Sequence, residues 1–129
     1  MIRQSLLVGI LAVAALGATG APVAAKSTAI TATGHCTAAT VWKLKIKPDN
    51  SRIEVEFQVD QNRNNRLWRV SIADNGKNVW HGSRFTRAPS GSFSVNRLLV
   101  NRAGNDRIVA KATNVKTGEV CRGSLTARF

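Results

Sequence analysis

The most constraining feature of the chain is an alternation of apolar and polar residues with a period of two, which recurs from Thr40 to the C-terminus. This alternation is typical of β-strands with one buried face, whereas an amphipathic helix repeats about every 3.6 residues. The pattern predicts seven strands separated by turn residues: Thr40–Lys47, Arg52–Val59, Arg66–Asp74, Lys77–Thr86, Gly91–Val100, Arg107–Asn114 and Glu119–Ala127. We therefore expect an all-β fold, a seven-stranded sandwich of two sheets formed by residues 40–129.

The first 25 residues have the features of a targeting segment. Arg3 precedes an apolar run from Leu6 to Ala18, and small residues precede a cleavage site after Ala25. We expect residues 1–25 to be a secretory signal peptide, with a membrane anchor as the alternative. The apolar run is shorter than the roughly 20 residues of a spanning helix. The sequence thus predicts a secreted, extracellular protein with no membrane span after cleavage.

The chain contains two cysteines, Cys36 and Cys121. In an oxidising compartment they have one possible pairing, and we expect a structural disulfide between them. A catalytic thiol is the alternative, but no neighbour that would lower its pKa is found near either cysteine. Residues 26–39 are a Thr/Ala-rich segment tied by Cys36, and the sequence leaves open whether they form a linker or a strand.

Turn residues predict the register of the first hairpin. Pro48 and the polar residues after it indicate a four-residue turn. This turn places Trp42 opposite Phe57 on the core side. It places Lys45 opposite Glu54 on the solvent side, as part of a ladder of opposite charges. We interpret the glutamates of this strand as members of that ladder and not as a catalytic pair.

The second hairpin turns at Asn75–Gly76, a sequence typical of a type I′ turn. The implied register pairs Ile72 with Val79 and directs His81 toward the core. Trp80 then points outward, and we hypothesise that it is an exposed aromatic residue, with coverage by another part of the fold as the alternative.

No constellation for catalysis or metal binding emerges. Asp60 begins a pattern like a Ca²⁺ loop, but Asn65 stands where that loop needs glycine and Ser71 where it needs a bidentate carboxylate. Neither His35 nor His81 has the partners of a catalytic triad. We therefore expect no catalytic residues, no metal and no cofactor, and the chain is not predicted to be an enzyme.

The segment from Asn105 to Glu119 resembles the F strand, FG turn and G strand of immunoglobulin-like and fibronectin-III-like domains. Asp106, the apolar Ile108 two residues later and the turn at Thr117–Gly118 carry the resemblance. It departs from those families at Ile108, where they usually have a tyrosine, and this strand has no cysteine. The resemblance implies an immunoglobulin-like sandwich whose disulfide ties the N-terminal segment to the last strand.

The chain after residue 25 also resembles small uncharacterised secreted proteins of high-GC Gram-positive bacteria. The stretches that carry this resemblance are residues 42–45, 54–64 and 87–93. It implies an exported sandwich with one disulfide and transfers no activity.

Charge provides the remaining functional indication. The 19 Lys and Arg residues exceed the 7 Asp and Glu residues, for a net charge of +12. In the predicted topology three loops share one end and bring together four basic residues: Arg63, Arg66, Arg87 and Lys116. This end is a candidate site for anionic cell-wall polymers or glycans. The sequence leaves open whether the basic surface is a specific site or only keeps the protein soluble and loosely wall-associated.

We thus expect an exported, monomeric, non-enzymatic binding or surface-interaction domain, with no specific nucleic acid partner. The alternative is a secreted small-molecule carrier or a protease-inhibitor-like effector on a β-sandwich. Familiar examples of that class have two disulfides, and the carriers are acidic. This chain departs from both, because its two cysteines allow only one disulfide and its net charge is positive.

Overall fold

The computed structural model describes residues 28–129, which form eight antiparallel strands and no helix. The strands are β1 (Ile30–His35), β2 (Val41–Asp49), β3 (Arg52–Asp60), β4 (Leu67–Asp74), β5 (Lys77–Phe85), β6 (Ser92–Val100), β7 (Asp106–Asn114) and β8 (Val120–Ala127). They form a first sheet with the order β1-β2-β3-β6 and a second sheet with the order β5-β4-β7-β8. In this part of the chain there is no helix that could cross a membrane. The predicted signal peptide, residues 1–25, lies outside the described residues.

The strand count is eight, so the prediction of seven is corrected by one. Strands β2 to β8 correspond to the seven predicted segments, and every boundary lies within two residues of the prediction. The additional strand is β1, which pairs antiparallel with β2 and places Gly34 opposite Trp42. Its inward positions include Ala32 and Gly34, which are too small to produce a visible alternation of hydrophobicity.

The core lies between the two sheets and is built from alternate residues of the strands. Trp68 is its largest fully buried side chain, and the Trp68 and Phe93 rings, on opposite sheets, have centroids 6.4 Å apart. Burial of each large aliphatic side chain contributes about 1.5 to 3 kcal/mol. The other large aliphatic side chains that are fully buried in the core are Leu44, Ile46, Ile53, Val55, Val59, Val70, Ile72, Val95 and Ile108.

The turn of the first hairpin is shorter than predicted. Asn50 and Ser51 have positive φ angles of 47° and 71°, as a two-residue type I′ turn requires. The pairing is consequently shifted by two residues, and Trp42 lies opposite Val59 instead of Phe57. Because strand faces repeat every two residues, every side chain of the hairpin stays on its predicted face.

A β-bulge in the second hairpin reverses the predicted orientation of Trp80 and His81. The turn lies at Asn75–Gly76, as predicted, but Ile72 pairs with Trp80 because one extra residue is inserted in β5. Trp80 therefore lies on the inner side, partly buried against the core, while His81 is exposed on the outer face. The predictions of an exposed Trp80 and an inward His81 are wrong, because an inserted residue changes the parity of all positions after it.

The sandwich is closed between β1 and β8 by an aromatic ring and a covalent bond. The Trp42 ring lies between Gly34 and Gly123, where an added Cβ would come within 2.6 and 2.5 Å of ring carbons. Cys36, which follows β1, forms a disulfide with Cys121 of β8, and this confirms the predicted pairing. This disulfide joins the two sheets of the sandwich.

The buried carboxylate of Glu119 holds the connection from β1 to β2 in place. It accepts hydrogen bonds from the backbone N–H groups of Ala38 and Thr40 at 3.1 and 3.0 Å, and from the Thr40 hydroxyl at 2.8 Å. The periodic pattern marked Glu119 only as the start of a strand, because a partner so distant in sequence leaves no local signal.

Candidate anion-binding site

One end of the sandwich, which we call the loop end, carries the connection from β1 to β2. Three further loops meet there. They comprise residues 61–66 between β3 and β4, residues 86–91 between β5 and β6, and residues 115–119 between β7 and β8. The strand order brings the loops together, because β3 is a neighbour of β6 and β4 is a neighbour of both β5 and β7.

Hydrogen bonds fix the first two loops to each other. The backbone N–H of Asn62 donates to the carbonyl of Gly91 at 3.1 Å. The buried Thr86 hydroxyl accepts a hydrogen bond from the backbone N–H of Arg66 at 2.9 Å and donates one to the carbonyl of Arg63. The backbone at both arginines is therefore held by the neighbouring loop.

The third loop is organised by the buried side chain of Asn114. Its Oδ1 accepts hydrogen bonds from the backbone N–H groups of Lys116 and Thr117, both at 2.9 Å. The backbone N–H of Val115 donates to the carbonyl of Leu67 at 3.0 Å. Asparagine readily forms such turns, in which its side chain caps the backbone that follows. The bond from Val115 to Leu67 holds this turn, and Lys116 within it, beside the start of β4.

Arg63, Arg66 and Lys116 line one cleft of about 270 Å³ at the loop end. All three residues are exposed. The other residues that line this loop-end cleft are polar and uncharged: Gln61, Asn114 and Thr117. The Gln61 side chain accepts a hydrogen bond from the indole N–H of Trp68 at 3.0 Å, which connects the cleft to the core. Three positive charges thus converge where no carboxylate is part of the lining.

Comparison of the chain with protein-family models, curated proteins and solved structures returned no match. Function is therefore inferred from the residues of the chain itself.

Arg87, the fourth basic residue predicted at this end, does not line the loop-end cleft. It is exposed on the 86–91 loop, and its backbone N–H donates to the carbonyl of Ser92 at 2.9 Å. The topology correctly indicated which loops share an end. The direction of each side chain depends on loop conformation, which the alternation pattern does not specify.

Trp80 lies apart from the loop-end cleft, at the lateral edge between β5 and β6. The guanidinium carbons of Arg84 and Arg97 each lie 5.3 Å from the centroid of the Trp80 ring, within the range of cation–π attraction. The ring also covers Gly82, where an added Cβ would lie 2.7 Å from a ring carbon. Trp80 therefore packs between the sheets at this edge.

Two buried carboxyl groups, those of Asp74 and Asp106, lie at the end opposite the loop end. The Nε of Arg102 lies 3.7 Å from Oδ2 of Asp74. The pKa of Asp74 is raised to about 6, first by burial and then by a hydrogen bond with Asp106 and the negative charge of that residue. The positive charge of Arg102 opposes this shift.

Across residues 28–129, no group of three or more His, Cys, Asp or Glu residues is placed to hold a metal ion.

Proposed function

We propose that the protein is an exported, non-enzymatic binding domain that holds anionic extracellular polymers at the loop-end cleft. The observation that carries the proposal is the convergence of Arg63, Arg66 and Lys116 in a lining without a carboxylate. Guanidinium and ammonium groups make charge-assisted hydrogen bonds to phosphate, sulfate and carboxylate groups. The net charge of +12, or +11 after removal of the segment that contains Arg3, adds a long-range attraction that accelerates encounter with a polyanion.

An immunoglobulin-type assignment of the fold supports this proposal. Strands β2-β3-β6 and β5-β4-β7-β8 follow the orders A-B-E and C′-C-F-G of such domains, with β1 added beside β2. In variable domains, the loops at one end of the sandwich form the binding site. The loop-end cleft lies between the loops equivalent to B–C and F–G. Export is supported by the apolar N-terminal segment and by the disulfide.

Binding to immobilised teichoic acid, a phosphate polymer, at several salt concentrations tests the proposal. The variant Arg63→Gln/Arg66→Gln/Lys116→Gln should reduce the slope of log affinity against log salt by about 2 to 3, because each neutralised phosphate contributes about 0.7 to 0.9. The matched control replaces Lys43, Lys45 and Lys47 with glutamine. These lysines lie on β2, where Lys45 and Lys47 stand opposite Glu56 and Glu54.

The control is essential because any strongly basic protein binds a polyanion at low salt. The cleft variant should lose more of the salt-dependent affinity than the β2 variant, although both lose the same charge. Arg87→Gln should have a smaller effect than Arg63→Gln, since Arg87 lies outside the cleft. Equal losses in the two triple variants would show that the attraction is diffuse.

A further inference from the structure

The seven acidic residues of the chain are distributed unevenly over the sandwich. Four of them lie on β2 and β3 of the first sheet: Asp49, Glu54, Glu56 and Asp60. The other three are buried: Asp74, Asp106 and Glu119. Within residues 28–129, the outer face of the second sheet therefore carries no carboxylate. The outer face of the first sheet, in contrast, carries Glu54 and Glu56 on β3.

The same outer face carries exposed basic residues from all four strands of the second sheet: His81 from β5, Arg69 from β4, Arg107 and Lys111 from β7, and Arg122 from β8. They point outward because the residues next to them in β4, β7 and β8 are buried. The register aligns four residues in one row across the sheet: His81, Ser71, Lys111 and Arg122. With strands about 4.8 Å apart, this row is about 14 Å long.

Lys111 and Arg122 stand directly opposite each other in the pairing of β7 with β8. Like charges in this position destabilise an antiparallel pair. The first sheet avoids that cost, since Lys47 lies opposite Glu54 with 3.5 Å between Nζ and Oε2. The chain thus balances charge across one sheet and concentrates positive charge on the other. Such a departure from local stability is expected where a surface serves binding.

A groove of about 400 Å³ runs over β5, β4 and β7 on this basic face. Its polar lining consists of Arg69, Ser71, His81, Ser83, Lys111 and Thr113. Arginine, lysine and hydroxyl side chains are the types that most often contact phosphate oxygens. The groove ends at Thr113, one residue along β7 from Asn114 of the loop-end cleft, although the two side chains lie on opposite faces of the sheet.

We propose that the outer face of the second sheet is a binding surface for a linear polymer of phosphate groups, which extends from the loop-end cleft along this groove. The polymer supplies the counter-charge that Lys111 and Arg122 lack in the folded protein. This inference rests on the proposed function only for the contact at the cleft. Occupation of two adjoining sites by one chain makes affinity rise with polymer length, because the second contact forms within the same complex.

Two charge reversals of equal size test the proposal. Lys111→Glu places a carboxylate opposite Arg122, whereas Lys45→Glu places one opposite Glu56. Lys111→Glu should raise the thermal unfolding midpoint and weaken the binding of long inorganic polyphosphate about tenfold at 0.1 M salt. Lys45→Glu should lower the midpoint and weaken binding much less. A stabilised protein that has lost affinity cannot be explained by misfolding.

Other outcomes would overturn the proposal. Equal losses of affinity in Lys111→Glu and Lys45→Glu would indicate a diffuse field, and equal affinities of wild-type protein for short and long polyphosphate would exclude an extended site. Heparin of matched charge bound more tightly than polyphosphate would assign the surface to a sulfated glycan. The cleft variant separates the two proposals. If it leaves binding intact while Lys111→Glu weakens it, the basic face stands and the loop-end cleft fails.

Discussion

At the scale of single residues, Asp74 shows how one buried side chain makes stability depend on pH. The residue is only 2% exposed. Its pKa rises from 3.8 to about 6, first because burial disfavours the charged carboxylate and then because of the hydrogen bond with Asp106 and the charge of that residue. Arg102 opposes this shift by attracting the ionised form. Unfolding exposes the carboxyl to water and returns its pKa to the ordinary value of about 3.9.

The contribution of Asp74 to stability should therefore decrease as the pH rises from about 4 to about 6, because in this interval the folded state keeps a proton that the unfolded state has released. Asp74→Asn removes the titrating group. Relative to wild type, the free energy of unfolding of this variant should increase across the interval, by about 1.4 kcal/mol for each unit of pKa shift. Urea denaturation at a series of pH values measures the difference.

Asp49→Asn is the matched control, because it removes a carboxylate that lies near the surface at the end of β2. The change in stability difference over the interval should be larger for Asp74→Asn than for this control. A difference between Asp74→Asn and wild type that stays constant with pH would show that Asp74 ionises as it does in water.

At the scale of strands, the alternation pattern was sufficient wherever large apolar residues occupy the inner positions. It located β2 to β8 but not β1, whose inner positions include the small Ala32 and Gly34. It could not detect the bulge in β5, since an inserted residue changes the register without changing composition. The predicted topology, in contrast, places Arg63 and Arg66 at the loop end, because the order of the strands decides which loops meet.

The bulge can be tested by comparing two neighbouring residues of β5. Trp80 packs against the core and His81 is exposed. Trp80→Ala should therefore lower the free energy of unfolding by about 2 to 4 kcal/mol, somewhat less than for a fully buried tryptophan. His81→Ala should change it by no more than about 0.5 kcal/mol. Chemical denaturation of both variants measures the effects, and a larger loss for His81→Ala would restore the register without a bulge.

At the scale of the whole molecule, the two lateral edges of the sandwich are closed by different means. Between β5 and β6 the closure is noncovalent and depends on Trp80 with Arg84 and Arg97. Between β1 and β8 it combines the Trp42 ring with the disulfide Cys36–Cys121. Unfolding of the oxidised protein consequently leaves the first and last strands connected, whereas the strands at the other edge separate freely.

Loss of the disulfide should lower the free energy of unfolding by about 4 to 5 kcal/mol, because a cross-link between residues 85 positions apart restricts the unfolded chain strongly. The variant Cys36→Ser/Cys121→Ser should still fold at low temperature, since the core and the Glu119 hydrogen bonds remain. It should also still bind polyphosphate, because neither cysteine lines the loop-end cleft or the basic groove.

Guanidinium denaturation with and without reductant measures the effect of the disulfide on the free energy of unfolding. Reductant should destabilise the wild type and leave the serine variant unchanged. Equal unfolding free energies for the oxidised and reduced wild type would contradict a stabilising role for the bond.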